Sequence, residues 1–231
     1  MPVITIARQY GAGGSTIAAI VAERLGANLV DKWLIAEVAR RAQLAPESVE
    51  AEDEHPSSLL GRLVAAFAPM GVAPGMVWDV PYPDPAYDPR LAVLELTRKV
   101  VTEVARGGNA VIVGRGGAAI LRERRDAVHV FLYAAEPARV DTVMAREAVS
   151  ESVARRRMHE MDANRAAYLR QVYGLDRRDP LLYTLHCNTG LLGYARTVEI
   201  ILAAAGGLAE ARAAGAALAR ESSPLAHQSS S

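Results

Sequence analysis

The chain has 231 residues, 51% of them hydrophobic, with 26 basic and 26 acidic side chains and one cysteine. That length and apolar content support one substantial α/β domain, and the balanced charge leaves no overall footprint for nucleic acid. The lone Cys187 excludes an intramolecular disulfide and fits a reducing compartment.

Val3 to Ala7 reads as an apolar strand. It runs through Arg8-Gln9-Tyr10 into Gly11-Ala12-Gly13-Gly14-Ser15-Thr16, and then into a helix with Ile17, Ile20, Val21 and Leu25 at helical spacing and Gly26 placed to stop it. Asn28 to Asp31 is a short second strand ending in an acid, and Lys32 to Gln43 an amphipathic helix. Residues 44–90 change character: acids cluster, an apolar piece follows, and prolines crowd in, as in an inserted segment with a long loop. Helical spacing returns over 91–106 and ends at Gly107-Gly108. Asn109 to Val113 is a third strand, apolar throughout, running into Gly114-Arg115-Gly116-Gly117. Ala127 to Tyr133 is a fourth strand, Glu136 to Glu147 a helix with Pro137 in its first turn, and Ser150 caps a helix reaching about Tyr173. Residues 181–187 read as a fifth strand, followed by helices over 194–205 and 208–220 divided by Gly206-Gly207, and by a polar tail, 222–231, expected to be disordered. No run of about 20 uncharged apolar residues occurs and no leader precedes the first strand, so a soluble cytoplasmic protein is expected.

Strands alternating with helices predict a parallel sheet covered on both faces, with ligands at the carboxyl ends of the strands. The first three strands each deliver something there: the glycine loop, Asp31 and Arg115. Strand, glycine loop and helix N-terminus form an anion cradle from backbone N–H groups and the helix dipole. The loop departs from G-x-x-x-x-G-K-[ST], because Arg8 stands at the first glycine and Gly14 at the lysine. The same arrangement joins strand to helix in many α/β proteins, so the loop alone does not decide. The helix from Ser150 carries Arg155, Arg156, Arg157, Arg165 and Arg170, with Arg146 before it and Arg177 and Arg178 after it, and the spacing puts Arg155, Asp162 and Arg165 on one face. Such arginines suit a transferring phosphoryl group, and a solvated helix carries them too. Trp78, Tyr82 and Tyr87 are candidates for base stacking or simple packing, Cys187 reads as a buried small hydrophobe, and the five histidines lack metal-ligand spacing.

Together, Ile4 to Ala18, Leu29-Val30-Asp31, Gly114-Arg115, Asp162-x-x-Arg165 and Leu185-His186-Cys187-Asn188-Thr189-Gly190 resemble, in order and spacing, the cytidylate-kinase-like group of P-loop nucleoside monophosphate kinases, over about residues 3–205. The resemblance implies an α/β P-loop kinase three-layer fold over residues 1–221: a five-stranded parallel sheet, an inserted monophosphate-binding segment at 44–90 and a helical, arginine-rich lid at 146–178. It implies ATP and Mg²⁺ as cofactors, with Gly11, Ala12, Gly13, Gly14, Ser15 and Thr16 around the donor phosphates and Ser15 on the metal. Asp31, Lys32, Arg115, Asp162 and Arg165 fall on the acceptor side, Asp162 toward the sugar. Arg8, Arg155 and Arg156 are the candidate catalytic cations, Arg8 replacing the missing lysine. The implied partner is a nucleotide substrate such as CMP or dCMP, without nucleic acid or membrane; a homodimer is compatible. Three departures qualify the resemblance. The loop lysine is absent, the acid that follows Gly-Arg in cytidylate kinases is Gly116, and the serine after the strand-two aspartate is Lys32. They keep two alternatives open: a nucleotide-binding regulatory protein without kinase activity, and a kinase for a non-nucleotide acceptor.

Overall fold

The computed structural model describes residues 2–31 and 89–221. Lys32, the three aromatic candidates of the proline-rich stretch and the 222–231 tail lie outside the described residues. Five strands, β1 (Val3–Arg8), β2 (Asn28–Val30), β3 (Ala110–Val113), β4 (Ala127–Tyr133) and β5 (Leu185–Asn188), form one sheet in the order β2-β3-β1-β4-β5. Every neighbouring pair is parallel. The helices are α1 (Gly14–Leu25), α2 (Pro89–Gly107), α3 (Gly117–Ile120), α4 (Glu136–Glu147), α5 (Glu151–Tyr173) and α6 (Thr189–Glu221).

Strand side chains alternate between two covered faces. Ile4, Ile6, Val111, Val113, Val128, Val130 and Leu132 pack against Ile17 and Val21 of α1 and Val198 and Ile201 of α6. Val3, Ala110, Ile112 and Ala127 pack the other way, against Val100, Val101 and Ala105 of α2. Burial on both sides is why these strands read as unbroken apolar runs. Each fully buried aliphatic side chain contributes about 1.5–3 kcal/mol. Helix α1 stops where Gly26 turns left-handed and its N–H returns to the carbonyls of Ala22 and Glu23. Helices α4 and α5 pack through Val140, Val143, Ala154 and Met158, with Tyr10 of the glycine loop against them. That contact places α5 beside the loop.

Two boundaries differ from expectation. Asp179 accepts from Leu181 N and Pro180 fixes a short 3₁₀ turn, so the last strand begins at Leu185. Helix α6 runs through Gly206-Gly207 and breaks instead at Gly193, whose φ of 69° and ψ of 167° are non-helical. The α6 segment Thr189–Ala211 is apolar and long enough to cross a membrane by length and composition. It also carries Arg196 and Glu199, and Val198, Ile201 and Ala205 bury its apolar face against the sheet. Cys187 is 3% exposed in that core, where burial pushes its thiol pKa up.

Candidate active site

A cavity of about 290 Å³ opens at the carboxyl ends of β1 and β3. Arg8, Ser15, Asp31, Arg115, Arg165 and Arg177 supply its charged and hydroxyl groups, together with Thr5, Tyr168 and Tyr183. Its floor rests on a buried polar pair: Thr5 Oγ1 and His129 Nδ1 are 2.8 Å apart, and His129 Nε2 lies 3.2 Å from Leu121 O. Burial pulls the His129 pKa down, so the ring is neutral, with Nε2–H donating to Leu121 and Nδ1 accepting from Thr5.

The loop from Gln9 to Gly13 is held on several sides. Tyr10 N donates to Asp162 Oδ1 at 2.9 Å, and Tyr10 O accepts from Arg139 Nη1 at 3.2 Å. The Tyr10 hydroxyl donates to Glu147 Oε1 at 2.6 Å, while the guanidiniums of Arg146 and Arg165 lie 4.8 and 5.5 Å from its ring centre. Ala12 O accepts from Thr189 Oγ1 at 3.1 Å. Gly13 has a φ of 74°, and a Cβ there would overlap the Tyr194 ring. Only glycine meets both conditions. Ser15 lines the cavity, whereas Thr16 is exposed on the first turn of α1.

Burial would raise the Glu147 carboxyl, but hydrogen bonds from Arg146, Tyr10 and Arg157 outweigh it and hold its pKa at about 2. A carboxyl depressed in the folded state stabilises the fold above its ordinary pKa of 4.5 and loses that contribution as pH falls toward 2. Glu147→Gln should therefore flatten the acid limb of the melting-temperature profile between those values and lower stability at neutral pH. Thermal melts of both proteins across that range check it; superimposable profiles would sink the assignment.

The missing lysine has a steric explanation. A Cβ on Gly14 would lie 2.6 Å from Arg8 Cγ and 2.9 Å from Arg8 Cβ, and a Cβ on Gly114 would overlap Arg8 Nη1. The Arg8 side chain thus crosses the loop at Gly14 and ends beside the β3 turn. That turn is left-handed at three successive residues, with φ of 74°, 57° and 66° at Gly114, Arg115 and Gly116. Arg115 is the strained one, because a Cβ in this region costs about 1–2 kcal/mol. Asp31, at the end of β2, lines the cavity on the far side of Arg115.

The charged residues expected in a lid divide. Arg165 lines the cavity and donates to Arg8 O at 3.4 Å. Asp162 is not among the cavity-lining residues: its carboxylate is engaged by Tyr10 N, by Arg139 at 2.6 Å and by Arg177 at 3.3 Å. Arg155 and Arg156 are not brought to the cavity either. Arg155 pairs with Glu136 at 2.5 Å and Glu151 at 2.7 Å, and Arg156 is exposed. Arg155 lies ten residues before Arg165, about 15 Å along the helix, over α4 rather than over the loop. Arg177, which the sequence reading counted among the arginines after this helix without giving it a role, is a cavity cation. It is 8% exposed, its guanidinium lies 5.2 Å from the Phe131 ring centre, and it donates to Asp162 and to Arg8 O. Burial pulls its pKa down, opposed by Asp162.

No curated protein matches the chain. Among solved structures, an uncharacterized protein from Eubacterium ventriosum ATCC 27560 is similar, with a TM-score of 0.64 at 19% identity over 89% of this chain and 99% of that one. A shikimate kinase from Acinetobacter baumannii in complex with shikimate gives a TM-score of 0.46 at 15% identity, over 87% and 91% of the two chains. At these identities such likenesses concern the fold alone. The model of the cytidylate kinase-like family matches residues 3–191, which include all five strands, the glycine loop and the arginines of α5, and the chain belongs to that family.

Proposed function

We propose that the protein is an ATP-dependent phosphotransferase, cytoplasmic as ATP supply requires. Residues 11–16 would hold the donor phosphates, and Arg115, Arg165 and Arg177 a small anionic acceptor. The observation that carries this reading is the path of Arg8. Its stem lies against Gly14 and its guanidinium beside the β3 turn, in one cavity with Ser15 and the acceptor-side arginines, so a cation stands in the cavity that the loop opens into although Gly14 replaces the lysine. That weighs against the regulatory alternative, whose main support was the missing lysine.

The residues present fit the donor. The cradle at Gly13 is one that a Cβ would close, and Ser15 offers a hard oxygen to Mg²⁺. Among the described residues no group of three or more His, Cys, Asp and Glu could hold a metal, as suits an ion carried mainly by phosphate oxygens and water. Bound there, Mg²⁺ would offset charge on the donor phosphates. The protein's own work is positioning: Asp162 and Arg139 fix the loop through Tyr10, and the left-handed turn aims Arg115 at the acceptor. A CMP or dCMP acceptor is what the family relationship supports. The cavity itself supports an anion held by arginines.

Arg115→Gly separates the two halves of the proposal. Glycine relieves the left-handed strain while adding about 0.5–1 kcal/mol of unfolded-chain entropy, so stability should stay within about 1 kcal/mol of the parent. Loss of a charge-assisted contact worth about 1.5–3 kcal/mol should raise the acceptor KM about 10-fold or more and leave the ATP Kd unchanged. Calorimetric ATP titration and steady-state transfer assays measure both. An unchanged acceptor KM would remove Arg115 from the site.

A further inference from the structure

Thr5, Arg177 and Tyr183 are the buried polar side chains that line the cavity, each 8% exposed or less. Two of them have partners within the fold. Thr5 Oγ1 donates to His129 Nδ1, and the Arg177 guanidinium donates to Asp162 and to the carbonyl of Arg8. The Tyr183 hydroxyl has no hydrogen-bond partner among the described residues. Nor is its oxygen sealed inside the protein, as Arg139 Nε is, so it opens on the cavity that the residue lines.

The fold accounts for the ring of Tyr183 but not for its oxygen. The ring packs in one cluster with Ala118, Ala119, Phe131 and Leu169, and its centre lies 5.1 Å from those of Phe131 and His186. Phenylalanine would keep every one of these contacts. The hydroxyl gives up water on burial and receives no protein partner in exchange, which is a net cost to the folded state. A polar group held in that condition at a cavity wall points to a partner that arrives with a ligand.

The surroundings define that partner. Burial pushes the Tyr183 pKa up to about 12, Arg177 pulls against it, and Asp176 and Asp179 add to it. The phenol therefore keeps its proton at neutral pH and stands as a donor, and the opposing pull places the Arg177 charge within reach of it. Both groups sit on Phe131, whose ring centre is 5.2 Å from the Arg177 guanidinium. A guanidinium has only donors, and the phenol offers one more. The ligand group that answers both is an acceptor carrying negative charge, for which a charge-assisted O–H···O⁻ bond is short and strong.

We propose that Tyr183 is an acceptor-binding residue, its hydroxyl donating to a phosphate or carboxylate oxyanion of the acceptor that Arg177 holds from the other side. This rests on the phosphotransferase reading above and adds a residue to its acceptor half. The hydroxyl is kept for recognition, against the interest of stability.

Tyr183→Phe removes one oxygen and leaves the ring. The test fills the donor loop of the full chain with Mg²⁺ and ADP, then titrates inorganic phosphate, CMP and malonate calorimetrically. These arms separate phosphate from carboxylate and a bare anion from a nucleotide. The parent should bind at least one of them, and Tyr183→Phe should weaken that binding about 10-fold or more with the ADP Kd unchanged. Its melting temperature should equal or exceed the parent's, because no bond within the fold is lost. A hydroxyl that served the fold would do the reverse, lowering the melting temperature and leaving anion affinity alone. Anion affinity in Tyr183→Phe within about twofold of the parent overturns the proposal and leaves the phosphotransferase reading standing. So does a parent that binds ADP and none of the three anions. A parent that binds neither ATP nor ADP overturns the phosphotransferase reading, and this proposal with it.

Discussion

Arg8→Ala should lower kcat by roughly 10³–10⁵-fold with the fold and the acceptor KM intact, the range seen when an arginine that offsets transition-state charge is removed. The side chain occupies the space that a lysine at position 14 would need. Gly14→Lys in the parent should therefore fail: its Cβ would meet Arg8 Cγ at 2.6 Å, near the root of the side chain where little can give. Added to Arg8→Ala it remains crowded, because the Arg8 Cβ is 2.9 Å away. The double exchange Arg8→Gly with Gly14→Lys removes both contacts and rebuilds the regular loop pattern, with Gly13 and Ser15 already in place. It should recover activity that neither single change retains. Single-turnover transfer rates for the parent and these four variants decide the matter. Full activity in Arg8→Ala, with a folded spectrum, would show that the cation lies elsewhere.

Gly13→Val should abolish ATP binding while the sheet stays folded. Parent protein with Mg²⁺ and ATP at 100 times Kd should gain about 2.7 kcal/mol of stability, since a native-state ligand adds RT ln(1 + [L]/Kd). Valine is a poor fit twice over at position 13: a branched Cβ is strained at a φ of 74°, and it would overlap the Tyr194 ring. The cost falls on the loop and the start of α6, since the Ile4, Ile6 and Ile17 core does not depend on Gly13. Differential scanning calorimetry with and without nucleotide is the measurement. A ligand-induced shift in Gly13→Val equal to that of the parent would remove the loop from donor binding. Because Tyr194 makes part of this contact, Gly13→Val with Tyr194→Ala should lose less stability than Gly13→Val alone.

The sheet was legible because its signals are local and repeated. Apolar runs at Val3, Ala110 and Ala127 declare strands buried on both faces, and the carboxyl ends of those strands carry the glycine loop and Arg115. Where contact rather than sequence decides, the reading failed. The helix after β5 was expected to start at Tyr194, directly after the non-helical Gly193, but neither pattern nor propensity shows that it then runs through Gly206-Gly207 unbroken. Arg177 lies in Asp176-Arg177-Arg178-Asp179, which looks like solvated charge, as its neighbour Arg178 is. The Phe131 face and the Asp162 carboxylate that bury Arg177 come from distant strand and helix positions. The run of three arginines drew attention in the opposite sense: the helix turns Arg155 and Arg157 toward the glutamates of α4 and of α5's own first turn, and leaves Arg156 exposed. The vacancy at Gly14 was visible as a missing lysine, but its cause is the stem of Arg8, six positions earlier in the chain.

The main-chain carbonyl of Arg8 accepts from both Arg165 and Arg177, while the side chain of the same residue runs into the loop. On the proposed reading one residue would be common to both substrate sites. Guanidiniums drawn toward an acceptor would loosen their hold on that carbonyl, and a donor that repositioned Arg8 would change what they hold. Thermodynamic linkage then requires symmetry: the factor by which ATP alters acceptor affinity equals the factor by which acceptor alters ATP affinity. Coupling between the proposed sites would then run through a backbone oxygen, which no side-chain substitution at position 8 can delete.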